Sequence, residues 1–100
     1  MPKAWVYILK CADGSFYTGN STNLEQRLYQ HNIGEGGTWT KGRLPVKLIF
    51  CQCMPSKEDA YLAEQQIKGW SRAKKKALIE DNWDLVKYLA KKPAFRKKIL

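Results

Sequence analysis

Trp5-Val6-Tyr7-Ile8-Leu9-Lys10, Cys11-Ala12-Asp13-Gly14-Ser15 and Phe16-Tyr17-Thr18-Gly19 form the stretch on which the fold turns. Residues 5–9 are an unbroken apolar run, which suits a strand covered on both faces. Asp13-Gly14 is a strong turn signal, and Phe16-Tyr17-Thr18 is rich in strand formers, so the segment reads as a hairpin. Two registers are open. A two-residue loop would pair Lys10 with Tyr17 and Tyr7 with Asn20, which puts the two phenols on opposite faces. A three-residue loop, Ala12-Asp13-Gly14, places Gly14 in the left-handed position of a G1-bulge turn. Leu9 then faces Tyr17 and Tyr7 faces Gly19, and both rings come to one face.

Thr22-x-x-Glu25 fits a capping box and predicts a helix from Asn23 to about Asn32–Gly34. Leu24 and Leu28 form its apolar seam. Arg27 flanks the seam, and His31, the only histidine, lies below Leu24. A histidine against an apolar seam is usually a satisfied core residue. An arginine beside it must find an anion, which raises the odds of a functional site. The segment from Gly34 to Pro45 reads as a loop. Its Trp39, Lys41 and Arg43 suit nucleic-acid contact through stacking and phosphate binding. The competing reading is a plain connection with Trp39 tucked into the core.

Val46 to Cys53 predicts a third strand. Ser56-x-x-Asp59 caps a second helix whose apolar stripe is Ala60, Ala63, Ile67 and Trp70. Glu64 falls within that stripe, where an ionised carboxylate is costly unless it is paired or holds a metal. The pairing alternative is a salt bridge at the stripe's edge, with Arg27 as partner. A third helix is predicted over Arg72–Ile79, with Leu78 and Ile79 packed inward, and a last helix from Trp83 to about Ala90. Residues 91–98 hold five basic side chains and no acidic one, which predicts a basic tail over 91–100 after one domain spanning 1–90.

The net charge is +9, and it is unevenly spread. Residues 1–64 carry seven basic and six acidic side chains, whereas residues 65–100 carry eleven and three. Such one-sidedness points to a polyanion, and nucleic acid is favoured over a lipid surface because no aromatic-rich amphipathic anchor accompanies it. No apolar run approaches the roughly 20 residues that span a bilayer. No signal-peptide core precedes the first strand, so a cytoplasmic location is expected. Three cysteines without a C-x-x-C pair, and one histidine, do not make a zinc site; reduced, mostly buried thiols are expected.

Val6-Tyr7-Ile8, Tyr17-Thr18-Gly19, Arg27, His31 and Glu64 together strongly resemble the GIY-YIG nuclease superfamily, and most of all its small stand-alone bacterial members. The likeness covers residues about 4–80, including Ala60-x-x-x-Glu64-x-x-Ile67-Lys68. It implies an α+β fold, a three-stranded antiparallel sheet flanked by helices, and metal-dependent endonuclease chemistry on DNA, in repair or recombination. By the resemblance Tyr7 helps activate the attacking water, and Tyr17 positions that water or the scissile phosphate. Arg27 neutralises the phosphate, and His31 serves proton transfer or orientation. Glu64 holds one divalent metal, Mg²⁺ or Mn²⁺. The nucleic-acid-binding candidates are Lys10, Trp39, Lys41, Arg43, Lys68, Arg72, Lys74 and Lys75. Val6 stands where the family has Gly, Thr18 where it has Ile, and Asn20-Ser21 where a larger residue often follows Gly19. Basic residues Lys74–Lys76 lie where some members carry a further Asn.

The residue types suit that chemistry. One Mg²⁺ on a single carboxylate keeps most of its waters and can reach phosphate oxygens. An unperturbed phenol, with a pKa of about 10, is a poor base, so electrostatic stabilisation is expected to outweigh proton transfer. Two other readings compete: a nucleic-acid-binding module that does not cut, and an interaction domain whose protein partner supplies specificity.

Overall fold

The computed structural model describes residues 3–81. The last helix and the basic tail expected from sequence lie outside the described residues. The elements are β1 (Ala4–Lys10), β2 (Phe16–Ser21), α1 (Leu24–Asn32), α2 (Thr38–Lys41), β3 (Lys47–Met54), α3 (Lys57–Lys68) and α4 (Arg72–Ile79). The chain divides after Lys68 into two compact units. Among the described residues no helix is long and apolar enough to cross a membrane.

The first unit is an antiparallel sheet of order β2-β1-β3 with helices on both faces. β1 is central because its apolar run fills both sides: Val6, Tyr7, Ile8 and Leu9 are all buried. Tyr7, Leu9, Cys11 and Val46 form one core, against which Tyr17, Leu24 and Leu28 pack. Val6 and Ile8 alternate to the other face, where α3 brings the buried Ala60 and Ile67.

The hairpin adopts the three-residue register. Leu9 pairs with Tyr17 and Tyr7 with Gly19. Cys11 N donates to Ser15 O at 2.9 Å, and Gly14 N donates to Cys11 O at 2.9 Å. Gly14 has φ 83°, the left-handed conformation that a G1 bulge needs at this position. Asp13 accepts from both the amide and the hydroxyl of Ser15, which holds its carboxyl below the usual range.

Five local expectations are revised. Asn23, not Thr22, caps α1: its side chain accepts from Gln26 N at 3.1 Å. Both residues are competent caps, and the turn through Ser21, whose Oγ accepts from Asn23 N at 3.0 Å, selects the later one. The segment 34–45 contains the one-turn helix α2. The third strand lies one residue later than expected, and Trp70 falls beyond the end of α3. Of the thiols only Cys11 is buried; Cys51 is exposed because β3 is an edge strand. Ser56 caps α3 as expected, its Oγ accepting from Asp59 N at 3.2 Å.

In the second unit α4 has the expected bounds and is capped by Ser71, whose Oγ accepts from Lys74 N at 3.2 Å. Ala77 and Leu78 are buried, Ile79 is half-buried, and Lys74 Nζ lies 4.0 Å above the Trp70 ring.

Candidate active site

The hairpin register decides the site. Tyr7 and Tyr17 are diagonal neighbours on the face toward α1, with ring centroids 6.5 Å apart. Gly19, opposite Tyr7, is the floor beneath its ring: a Cβ there would lie 2.6 Å from Tyr7 Oη and 2.7 Å from Cζ. The last turn of α1 lowers His31 between the phenols, with centroids 6.0 Å from Tyr7 and 5.2 Å from Tyr17. Tyr7 Oη and His31 Nε2 are 3.0 Å apart, and His31 Nδ1 is 2.9 Å from Thr40 Oγ1. Gly36 packs flat on the imidazole, where any side chain would collide with the ring and with His31 Cα.

Arg27 is half-buried. Its Nη2 donates to Gly36 O at 2.6 Å, and its Nη1 reaches Gln30 Oε1 at 3.4 Å. The Arg27–Glu64 pair, the alternative to a metal at Glu64, is not formed. Glu64 sits on α3, across the sheet, and takes other partners. Its Oε1 accepts from Asn20 Nδ2 at 2.8 Å, and its Oε2 from Gln65 Nε2 at 3.0 Å and Lys68 Nζ at 3.0 Å. Asn20 is on the α3 face of β2 by alternation, so it holds the carboxylate on the face opposite the tyrosines, from where its charge is still felt at Tyr7.

Electrostatics couple these groups. Burial pushes the Tyr7 phenol up to about 12; hydrogen bonding and charge from Arg27 oppose the rise, and the charges of Tyr17 and Glu64 add to it. Burial, reinforced by the Arg27 charge, lowers His31 to about 4. At neutral pH the central pair is therefore a neutral phenol and a neutral imidazole.

The other candidates fall in several places. Trp39 is neither a free platform nor a core residue. It is 39% exposed, stacks on Tyr17 at 5.7 Å, and has the Arg43 guanidinium 4.1 Å above its ring. Arg43 is anchored by Asp13 Oδ2 at 3.1 Å and Trp39 O at 2.6 Å. Lys10 and Lys41 are exposed. Lys68 is tied to Glu64, while Arg72, Lys74 and Lys75 belong to the second unit. The sequence reading missed Asn20, Gly36 and Thr40. A polar Asn opposite Val6 on a buried face was a signal for the first; the other two lie in a segment without periodicity.

Among the described residues no group of three or more His, Cys, Asp or Glu side chains converges. A metal here would have Glu64 as its only acidic protein ligand. The donor set fits a hard divalent ion in that the carboxylate is nearly buried and Asn20 fixes its orientation, although Lys68, with a half-exposed side chain, competes for it.

A GIY-YIG catalytic domain model matches residues 3–77. A UPF0213 protein of Haloquadratum walsbyi is 42% identical over 81% of this chain and 91% of its own length. One from Streptococcus pneumoniae is 45% identical over 82% and 83%. The solution structure of a UPF0213 protein from Bacillus halodurans superposes with a TM-score of 0.53 at 36% identity, covering 90% of this chain and 99% of that one. An E. faecalis protein structure gives 0.57 at 32% identity, over 85% and 90%. With the sheet, the paired tyrosines and three-quarters of the sequence in agreement, the chain belongs to the GIY-YIG catalytic domain family.

Proposed function

We propose that this site hydrolyses phosphodiester bonds in DNA with the help of one Mg²⁺ or Mn²⁺ at Glu64. The observation that carries the reading is the convergence of Tyr7, Tyr17 and His31 on one face of the hairpin, with the Tyr7 hydroxyl 3.0 Å from His31 Nε2. Arg27 is permanently charged and braced by the Gly36 carbonyl, so it can meet a phosphate oxygen with little loss of side-chain freedom. Tyr7 orients the attacking water through its oxygen and can pass its own proton to the neutral His31. Tyr17, braced by Trp39, lines the same face and holds the water or the phosphate. As the water oxygen bonds to phosphorus, the bond to the leaving oxygen breaks; the water proton replaces the one that Tyr7 passes to His31, and a proton equivalent to that on His31 is returned to the leaving oxygen. A divalent ion at Glu64 would stabilise the charge that develops on the phosphate oxygens.

Placement in repair or recombination, and a protein partner that supplies specificity, belong to the same proposal. The test is a panel of branched, nicked, single-stranded and duplex DNAs, and RNA, incubated with Mg²⁺, Mn²⁺ or EDTA. Cleavage that needs the metal and disappears in Tyr7→Phe is expected. One observation favours a second reading, a binding module that does not cut: Lys68 already neutralises Glu64. Salt-sensitive DNA binding without cleavage of any substrate, and without metal binding in calorimetry, would select it.

A further inference from the structure

We propose that Thr40 is a positioning residue that holds His31 in its Nδ1–H tautomer, so that Nε2 presents a lone pair to the Tyr7 hydroxyl. The hydrogen-bond accounting has two solutions, and only one leaves every buried group satisfied. His31 and Thr40 are 0% and 1% exposed, so neither can rely on solvent. In the first solution Nδ1–H donates to Thr40 Oγ1 across 2.9 Å, and the Thr40 hydroxyl donates to Gly37 O at 3.4 Å. Nε2 then accepts the Tyr7 proton across 3.0 Å.

In the second solution every bond reverses. Thr40 donates to Nδ1, which removes its bond to Gly37 O, and Nε2–H donates to Tyr7 Oη. Arg27, whose charge is felt at that hydroxyl, carries only N–H donors and cannot take its proton. The Tyr7 proton would then be left without a partner in a side chain only 1% exposed. An unmet buried donor is costly, which decides for the first solution.

The arrangement fixes a direction of proton flow. When the Oη–H bond of Tyr7 breaks, the proton goes to Nε2 and leaves a phenolate beside Arg27. The imidazolium keeps its Nδ1–H on Thr40. The tautomer itself is independent of the proposed cleavage reaction; only its catalytic consequence rests on that reading.

The single histidine makes the test direct. Protein labelled with ¹⁵N in histidine gives one pair of ring-nitrogen resonances, compared for wild type, Thr40→Ser and Thr40→Val at neutral pH. Expected are a protonated, pyrrole-type Nδ1 and an unprotonated, pyridine-type Nε2 in wild type and Thr40→Ser, with that preference lost in Thr40→Val. A wild-type spectrum with the proton on Nε2, or with both tautomers averaged, overturns the proposal. So does Thr40→Val with an unchanged spectrum. If Thr40→Val does not fold, wild type and Thr40→Ser still decide. In cleavage assays Thr40→Val should lower kcat on the order of 10²-fold or more with KM little changed, and Thr40→Ser should restore it. If no variant cleaves, the nuclease reading fails while the spectra still judge the tautomer.

Discussion

Gly19→Ala should be far more damaging than an added methyl group normally is. Carbon atoms rest about 3.5–4.0 Å apart. The new Cβ would lie 2.7 Å from Tyr7 Cζ and 3.1 Å from Tyr17 Cε1. One phenol or the strand must therefore move by ~0.8 Å. Tyr7 has nowhere to go, being packed in the core and bonded to His31 at 3.0 Å. A shift of that size takes the Tyr7–His31 distance beyond hydrogen-bond range. Overpacking costs about 1–3 kcal/mol, and two buried polar groups left unmet cost a similar amount, so a loss of about 2–6 kcal/mol is expected. A misplacement near 1 Å also lowers turnover by on the order of 10²-fold. Gly42→Ala is the control. Gly42 has φ −83° and nothing within 4 Å of an added Cβ, so its stability should change by less than about 0.5 kcal/mol. Urea denaturation of the three proteins reads the difference. Gly19→Ala as stable as Gly42→Ala would refute the packing of Tyr7 on Gly19, and with it the shared face of the tyrosines.

Three further outcomes are expected. Stability should fall on the acid side, because His31 titrates near 4 in the fold and 6.5 when unfolded. The unfolded chain binds that proton first as pH drops, so about 3 kcal/mol is lost progressively across the window; urea titrations near pH 7 and pH 4.5 check it, and a flat profile counts against a buried neutral imidazole. Stability should also fall on the alkaline side, where the unfolded chain loses the Tyr7 proton from 10 and the fold retains it to about 12; denaturation near pH 9 and pH 11.5 should differ by up to about 2 kcal/mol. Lys68→Met should tighten Mn²⁺ binding by up to about fivefold, since a half-exposed ammonium competes for Glu64 with about 1 kcal/mol at most; weaker binding, read by paramagnetic titration, would show that Lys68 does not compete.

Much of this was legible before the fold was known, and the limits have physical reasons. Glu64 stood out because a carboxylate in an apolar helical stripe demands a partner. Its partner did not, because Asn20 lies 44 residues away and only the packing of α3 on β2 joins them. The hairpin was narrowed to two registers by Asp13-Gly14, and the choice between them rests on the backbone conformation of Gly14. Trp39 resisted assignment because its ring shares both environments, stacked on Tyr17 at one edge of the site and open to solvent. Thr40 was invisible: a threonine in an aperiodic segment carries no sign of which side chain it will meet. The helix cap was misplaced by one residue because Thr22 and Asn23 have equal chemistry, and local turn geometry decides between them.

The central claim is that Glu64 and the paired tyrosines form one metal-dependent phosphodiesterase site. Nicking of a panel of structured DNAs in Mn²⁺ by wild type and Glu64→Gln, with both proteins shown to be equally folded, tests it most directly. Wild-type cleavage that EDTA stops and Glu64→Gln reduces by at least about 10³-fold is the predicted result. Cleavage that survives in Glu64→Gln or in EDTA would contradict it.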